Sequence, residues 1–150
     1  MANRTYTAVG TQNAAPSAGV SLLSMQSTVA IRPTLDEFTI CHSGTMADAT
    51  IQHLVRRFNT SDGTATAVTP SPVDPSDGAA VVVVQHNHTA EPTVGVTLLD
   101  LHVHLRSIVH WRSNPRYPLV MEALATTGIV LTPIHASQTN LCTGTVWFTE

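Results

Sequence analysis

The chain has 150 residues, only 11% of them charged, and a formal net charge of −3; all seven basic residues are arginine. This balance excludes the basic patch that nucleic-acid binding requires, and the length is sufficient for one domain with a substantial core. Interface cores are poor in lysine and glutamate, so the low charge is typical of a protein that buries much surface against partners. No apolar run approaches the ~20 residues of a membrane span, and we expect no membrane contact.

The first twenty residues are rich in Ala, Thr, Asn, Gly and Ser and contain Pro16. This composition predicts a flexible N-terminal arm over residues 1–20 that becomes ordered on a partner, followed by a single domain over residues 21–150. Two strands are expected next, because apolar and polar residues alternate from Leu23 to Ile31 and again from Leu35 to His42.

The apolar period then changes, and we predict one helix over about residues 45–58. Its apolar face has the spacing i, i+3, i+4, i+7 and consists of Ile51, Leu54, Val55 and Phe58. Thr45 is a suitable N-cap, and the sequence Ser-Asp-Gly at residues 61–63 is a suitable end.

The remainder of the chain contains further short strands separated by turn residues. A proline- and aspartate-rich stretch at residues 70–78 predicts a surface loop, and residues 86–92 predict a polar connection. The predicted strands are 64–69, 79–84, 119–124, 128–131 and 142–148. About eight strands with this spacing predict a mainly β protein, a jelly-roll-like β-sandwich carrying the one helix.

The stretch from Thr97 to Arg112 has the clearest pattern, with apolar side chains at almost every odd position and polar ones at almost every even position. A repeat of two residues indicates a strand. We therefore expect one long strand, or two strands joined near Arg106 and Ser107, at the centre of the fold. The polar face carries three histidines, His102, His104 and His110.

Two His-x-His pairs are the candidate metal ligands, because residues i and i+2 of a strand share a face. They are His86 with His88, and His102 with His104. A half-exposed polar residue is the more common role for histidine on such a strand face, so we expect no bound metal and no cofactor. In an oligomer in which the face of His102, His104 and His110 meets its symmetry mates, a ring of histidines would bind a metal or sense pH.

Enzyme signatures are weak. His86, His88, Glu91 and a later His135 resemble the ligands of a cupin, but the spacing departs from the cupin motifs, and no nucleophile motif is present. We therefore expect no catalysis and keep a cupin-like metal-dependent enzyme as an alternative. A carbohydrate-binding jelly roll is a further alternative with few aromatic platforms. The sequence leaves open whether Cys41 and Cys142 form a disulfide.

Several short blocks, spread over about residues 20–150, resemble a family of small structural proteins of tailed-phage virions. The blocks are Arg57-Phe58, residues 63–70, 73–77 and 88–93, Trp111, Gly128-Ile129 and residues 146–150. They carry no catalytic motif. The histidines of the central strand are the departure from the family.

The resemblance implies a head decoration (cement) protein that clamps the major capsid protein on the outside of an assembled capsid. It implies a homotrimer, a location on the virion surface after synthesis in the bacterial host cytoplasm, and no catalytic residue. A tail- or baseplate-associated structural protein is the alternative within the same class. The candidate capsid contacts lie in and beside the predicted arm and are Thr5, Tyr6, Val9 and Val20.

Overall fold

The computed structural model describes residues 3–13, 19–44, 48–60, 63–135 and 141–150, and these ranges contain twelve strands in two antiparallel sheets. The strands are β1 (Thr5–Gln12), β2 (Leu23–Gln26), β3 (Thr34–Ser43), β4 (Thr50–Phe58), β5 (Thr64–Val68), β6 (Ser71–Pro72), β7 (Val83–Ala90), β8 (Val94–His104), β9 (Val109–Arg112), β10 (Leu119–Val120), β11 (Gly128–Ile134) and β12 (Leu141–Thr149). The prediction of a mainly β sandwich is confirmed.

The first sheet, sheet A, has the order β10-β3-β12-β1-β6, and β9 also pairs with β3. β12 pairs with β1 from Thr5↔Thr149 to Gln12↔Cys142 and with β3 on its other side. Sheet B has the order β5-β7-β2-β11-β4-β8. The first and last strands, β1 and β12, therefore lie side by side in sheet A.

The core lies between the sheets and is formed by inward-facing side chains of both. Alternation along β1 and β12 places Tyr6 and Phe148 in this layer, where their rings stack with centroids 5.6 Å apart. From sheet B the buried core residues include Leu23, Met25, Val55, Val84, Ile129 and Leu131. Burial of this apolar surface drives the sheets together.

The predicted helix is wrong: residues 50–58 form strand β4, and residues 45–47 lie outside the described residues. Ile51 and Val55 are on one face of this strand, and Leu54 and Phe58 are on the other. Phe58 is buried although it lies opposite the core-facing side. Each face has two apolar residues four positions apart. Read together along the sequence, the four residues have the i, i+3, i+4, i+7 spacing of a helix face.

The predicted N-terminal arm is also wrong for residues 5–12, which form strand β1, while residues 14–18 lie outside the described residues. The small and polar residues of β1 alternate in and out of a sheet that continues on both sides. Tyr6, one of the candidate capsid contacts, is fully buried and cannot contact a partner. Thr5 and Val20 are half-buried, and Val9 is 54% exposed.

The stretch from Thr97 to Arg112 contains two strands joined by a turn at residues 105–108. This agrees with the prediction of two strands joined near Arg106 and Ser107, and not with the prediction of one long strand. Its place in the fold differs from the expectation, because β8 lies at the edge of sheet B and β9 at the edge of sheet A. Elsewhere, residues 79–82 precede β7 instead of forming a strand, and β7 continues through His86 and His88 to Ala90.

Gly128 is the glycine at which the two neighbouring strands approach β11 most closely. A Cβ atom there would lie 2.0 Å from the Met25 carbonyl oxygen and 2.4 Å from Phe58 Cζ. We expect Gly128→Ala to lower the free energy of unfolding by about 1–3 kcal/mol, because backbone of β2 would have to move. Urea denaturation measures this effect.

Gly78→Ala is the matched control for that substitution. Its new Cβ would meet only the flexible end of Arg4, at 3.4 Å, and we expect a change within about 0.5 kcal/mol. Equal stabilities for the two variants would contradict the close approach of β2 to β11.

Candidate functional site

The first predicted metal pair, His86 and His88, is engaged in contacts within the protein. His86 Nδ1 lies 3.0 Å from the backbone nitrogen of Thr11, in the facing sheet. His88 is buried, with Nε2 3.1 Å from Ser24 Oγ and Nδ1 3.2 Å from the Ser21 carbonyl oxygen. Both imidazole rings therefore connect β7 to other parts of the sandwich.

The second pair, His102 and His104, lies on the outer side of β8, and each ring faces its own carboxylate. His102 Nε2 lies 3.2 Å from Asp100, and His104 Nε2 lies 2.7 Å from Asp48. Within the described ranges, no group of three His, Cys, Asp or Glu side chains has the arrangement of a metal site, and this holds for His135 too.

Ser21 is the centre of a polar network in which Ser21 and Thr132 are buried and Glu91 is exposed. Its backbone N–H donates to Glu91 Oε1 at 2.9 Å, and its hydroxyl donates to Oε2 of the same carboxylate. Its Oγ lies 3.1 Å from Thr132 Oγ1, which accepts a hydrogen bond from Arg56 Nη2 at 2.9 Å. Glu91, the third residue of the cupin-like set, is thus held by Ser21.

The nearby contact between Ser24 and His88 has the distance of a nucleophile and its base, with the Ser21 carbonyl in the position of the orienting group. All three residues are at most 2% exposed. A substrate cannot reach the Ser24 hydroxyl without opening the sandwich. We therefore assign this network a structural role, which is to hold the start of β2 against β4, β7 and β11.

A second buried cluster, not found from the sequence, joins the sheets at β3, β4 and β12. His42 Nδ1 lies 3.0 Å from Cys142 Sγ, and His42 Nε2 lies 3.3 Å from His53 Nε2. Burial lowers the pKa of His53 to about 3, and the neighbouring His42 adds to the shift. Burial likewise lowers the pKa of His42 and raises the pKa of the Cys142 thiol to about 12.

These shifts keep the cluster neutral at pH 7, so the Cys142 thiol is a poor nucleophile. Cys142 is free and buried, whereas Cys41 is free and exposed, and no disulfide joins them. The signal in the sequence is the alternation of side chains along β3 and β12, which puts His42 and Cys142 at core-facing positions. The two strands pair with His42 opposite Cys142.

The open edge of sheet B is the first exposed feature that fits a partner. In the described part of the chain, β8 pairs only with β4, and it is 11 residues long. The backbone N–H of Leu105 donates to the carbonyl of Ala49 at 2.9 Å, one step beyond the His104↔Thr50 pair. Hydrogen-bonded and non-hydrogen-bonded residue pairs alternate along an antiparallel ladder. Because Leu105 is in a hydrogen-bonded pair, residues 100 and 102 are in non-hydrogen-bonded pairs, and their backbone N–H and C=O groups point away from β4.

The second exposed feature is a cleft of about 410 Å³ on sheet A, under the turn that joins β9 to β10. It contains two carboxylates, Asp36 and Glu37, together with Arg112 and Trp147. Burial raises the pKa of Asp36, while a hydrogen bond from Thr149 and the charge of Arg112 act in the opposite direction.

No protein-family model, curated protein or solved structure matches the chain. A search of the described residues for a helix of membrane-spanning length and hydropathy found none. Inference about function therefore rests on the two exposed features, the edge of β8 and the cleft at Trp147.

Proposed function

We propose that this chain is a non-catalytic structural protein of a phage particle, a head decoration protein that binds the assembled capsid. The observation that supports this role is the open edge of β8. In the proposed complex, an extended segment of the major capsid protein pairs with this edge as an added strand. Such strand addition takes its affinity from backbone hydrogen bonds.

The length of β8 separates it from the other edge strands of the described sheets. Those strands have two to five residues and are β5, β6, β9 and β10. Short edges are a common protection against unwanted pairing. Strand β8 has 11 residues, and its ladder with β4 is regular over the six residues from Leu99 to His104, before the register shifts toward Val94. An exposed edge of this kind is open to pairing with another strand, which favours a partner that covers it.

The composition of the chain also suits burial in a shell. With 11% charged residues and no lysine, the surface has little charge to desolvate when a neighbour covers it. A decoration protein stabilises a shell because it binds only the assembled state. Many equivalent copies then add their weak contacts by avidity. The docking element in this proposal is the edge of β8 and not an N-terminal arm.

The test is the location and stoichiometry of the chain in purified particles. We expect mass spectrometry of density-purified particles to find the chain at a fixed ratio to the major capsid protein, and electron cryomicroscopy to place it on the head. Density on the tail would support the tail- or baseplate-associated alternative. Absence from the particles would overturn the proposal. Native mass spectrometry of the free protein is expected to give a homotrimer.

His102→Pro tests the edge directly. Because the N–H of residue 102 points away from β4, proline removes a donor from the open edge and leaves the β4 ladder intact. We expect the affinity for undecorated heads to fall at least about tenfold, which corresponds to about 1.4 kcal/mol. Co-sedimentation of the variant with heads measures the affinity, and circular dichroism checks the fold.

His102→Ala is the matched control, since it removes the same imidazole and keeps the backbone donor. It is expected to bind heads as the wild type does. Equal losses in the two variants would assign the effect to the side chain and contradict strand addition. Dissociation of the trimer by His102→Pro, with head binding unchanged, would assign the β8 edge to the contact between copies.

A further inference from the structure

The cleft on sheet A lies between the outer face of the sheet and the turn that follows β9. Its lining residues are Thr5, Asp36, Glu37, Arg112, Ser113, Pro115, Pro118 and Trp147. The turn is fixed internally, because Asn114 Oδ1 accepts a hydrogen bond from the N–H of Arg116 and the Asn114 carbonyl accepts one from the N–H of Tyr117. One wall of the cleft is therefore preformed.

A β-bulge places the two carboxylates at the cleft. Glu37 is opposite Trp147 and Leu35 is opposite Phe148, which leaves Asp36 as the extra residue of β3. A bulge changes the direction of a side chain, so neighbours that would point to opposite faces both line the cleft. The backbone carbonyl of Asp36 accepts a hydrogen bond from the N–H of Ser113 at 2.7 Å, which ties the bulge to the turn.

Both carboxylates are held in place by neighbouring side chains. Asp36 Oδ2 accepts a hydrogen bond from Thr149 Oγ1 at 2.5 Å. Glu37 Oε1 lies 2.8 Å from His110 Nε2, and Glu37 Oε2 lies 3.9 Å from Arg112 Nε. These contacts fix the positions of the acceptors before a ligand arrives, which lowers the entropic cost of binding.

Trp147 supplies an aromatic surface beside these polar groups. It lies between the buried residues Val146 and Phe148 on β12, so its side chain is on the outer face of sheet A. Trp111, the other tryptophan, packs instead against Phe38, with ring centroids 5.3 Å apart. Trp147 is therefore the aromatic residue of the cleft lining.

We propose that this cleft binds a neutral saccharide of one or two hexose units, stacked on Trp147 and hydrogen-bonded to Asp36, Glu37 and Arg112. The C–H face of a pyranose ring is apolar and suits an indole, while its hydroxyl groups donate to carboxylates and accept from a guanidinium. The cleft volume lies in the range of small-molecule sites. The inference is independent of the proposed role in a capsid.

The charges of the lining favour a neutral ligand over an anionic one. Two carboxylates face one guanidinium, so a phosphate or an acidic sugar would meet a net negative site. The polar groups around the indole likewise disfavour a purely apolar ligand, because they would lose water without gaining hydrogen bonds.

Titration of the full-length protein with single sugars tests the site. The probes are glucose, galactose, mannose, N-acetylglucosamine, maltose and lactose, each up to about 20 mM, a range suited to millimolar dissociation constants. In the Trp111→Phe variant, Trp147 is the remaining tryptophan, and we expect one or more probes to change its fluorescence saturably. Saturation-transfer NMR reports the same contact from the sugar protons.

Trp147→Ala is expected to weaken binding of the responding sugar at least tenfold, and Asp36→Asn at least threefold. Val9→Ala, an exposed substitution on the same face outside the cleft lining, is expected to leave binding unchanged. No response to any of the six sugars would overturn the proposal. Saturable binding of spermidine without binding of sugars would also overturn it and assign the cleft to organic cations.

Discussion

Phe148→Ala is expected to lower the free energy of unfolding by about 3–5 kcal/mol, the largest effect of any single substitution argued for this chain. Phe148 is fully buried on β12, the strand between β1 and β3. Its ring stacks on Tyr6 with an interplanar angle of 22°. Truncation opens a cavity between the sheets and removes the aromatic pair, so the transfer and cavity costs add.

Urea denaturation and thermal melting measure this loss, and a domain of this size is expected to melt about 10 °C lower. Leu141→Ala is the matched control, because Leu141 is on the same strand and 44% exposed. We expect its cost to stay below about 1 kcal/mol. A similar small cost for Phe148→Ala would contradict the position of Phe148 in the core.

The sandwich could be predicted from the sequence because alternation is a local property. Along β8, Leu99, Leu101 and Val103 share one face, and their burial against the core agrees with the predicted pattern. The helix could not be excluded in the same way. In β4, burial on both faces produced a spacing that a helix also has, and only the pairing with β8 and β11 distinguishes the two.

The arm was misassigned for a related reason. Strand β1 has strand-favouring residues in Tyr6 and Val9, but its inward positions after Tyr6 are the small or polar residues Ala8, Gly10 and Gln12, so no alternating run of large apolar residues marks it. Gly10 is required there because a Cβ atom would lie 2.5 Å from His86 Cβ in the facing sheet. Close packing between sheets thus selects small residues, and that constraint is invisible until the partner strand is known.

The candidate sites depended even more on long-range contacts. The histidine pairs were chosen because they are near in sequence, yet His86 contacts Thr11 in the facing sheet and His104 contacts Asp48, which is 56 residues away. The cleft needed a bulge at Asp36 and a turn more than 70 residues away. Neither the bulge nor the pairing across sheets leaves a local signal in the sequence.

Acidification is expected to destabilise the protein well before its carboxylates are fully protonated. The reason is that the side chain of His53 gains a proton in this pH range only when the protein unfolds. Its pKa is about 3 in the folded chain and about 6.5 when unfolded. Between these values the unfolded state binds the extra proton, so stability falls as pH falls. From pH 7 to pH 4.5 this residue alone accounts for about 2.5 kcal/mol. The lowered pKa of His42 adds an effect of the same sign.

Urea denaturation of the wild type and of His53→Leu at pH 7 and pH 4.5 measures the contribution of His53. Leucine retains an apolar side chain between the sheets and has no proton to gain, so we expect the loss of stability between the two pH values to be smaller by about 2 kcal/mol. His102→Ala, which removes a histidine at the exposed edge, should keep the wild-type loss. If His53→Leu lost as much stability as the wild type, protonation of the buried cluster would not be the cause. The pH dependence of the fold would then have to come from its carboxylates.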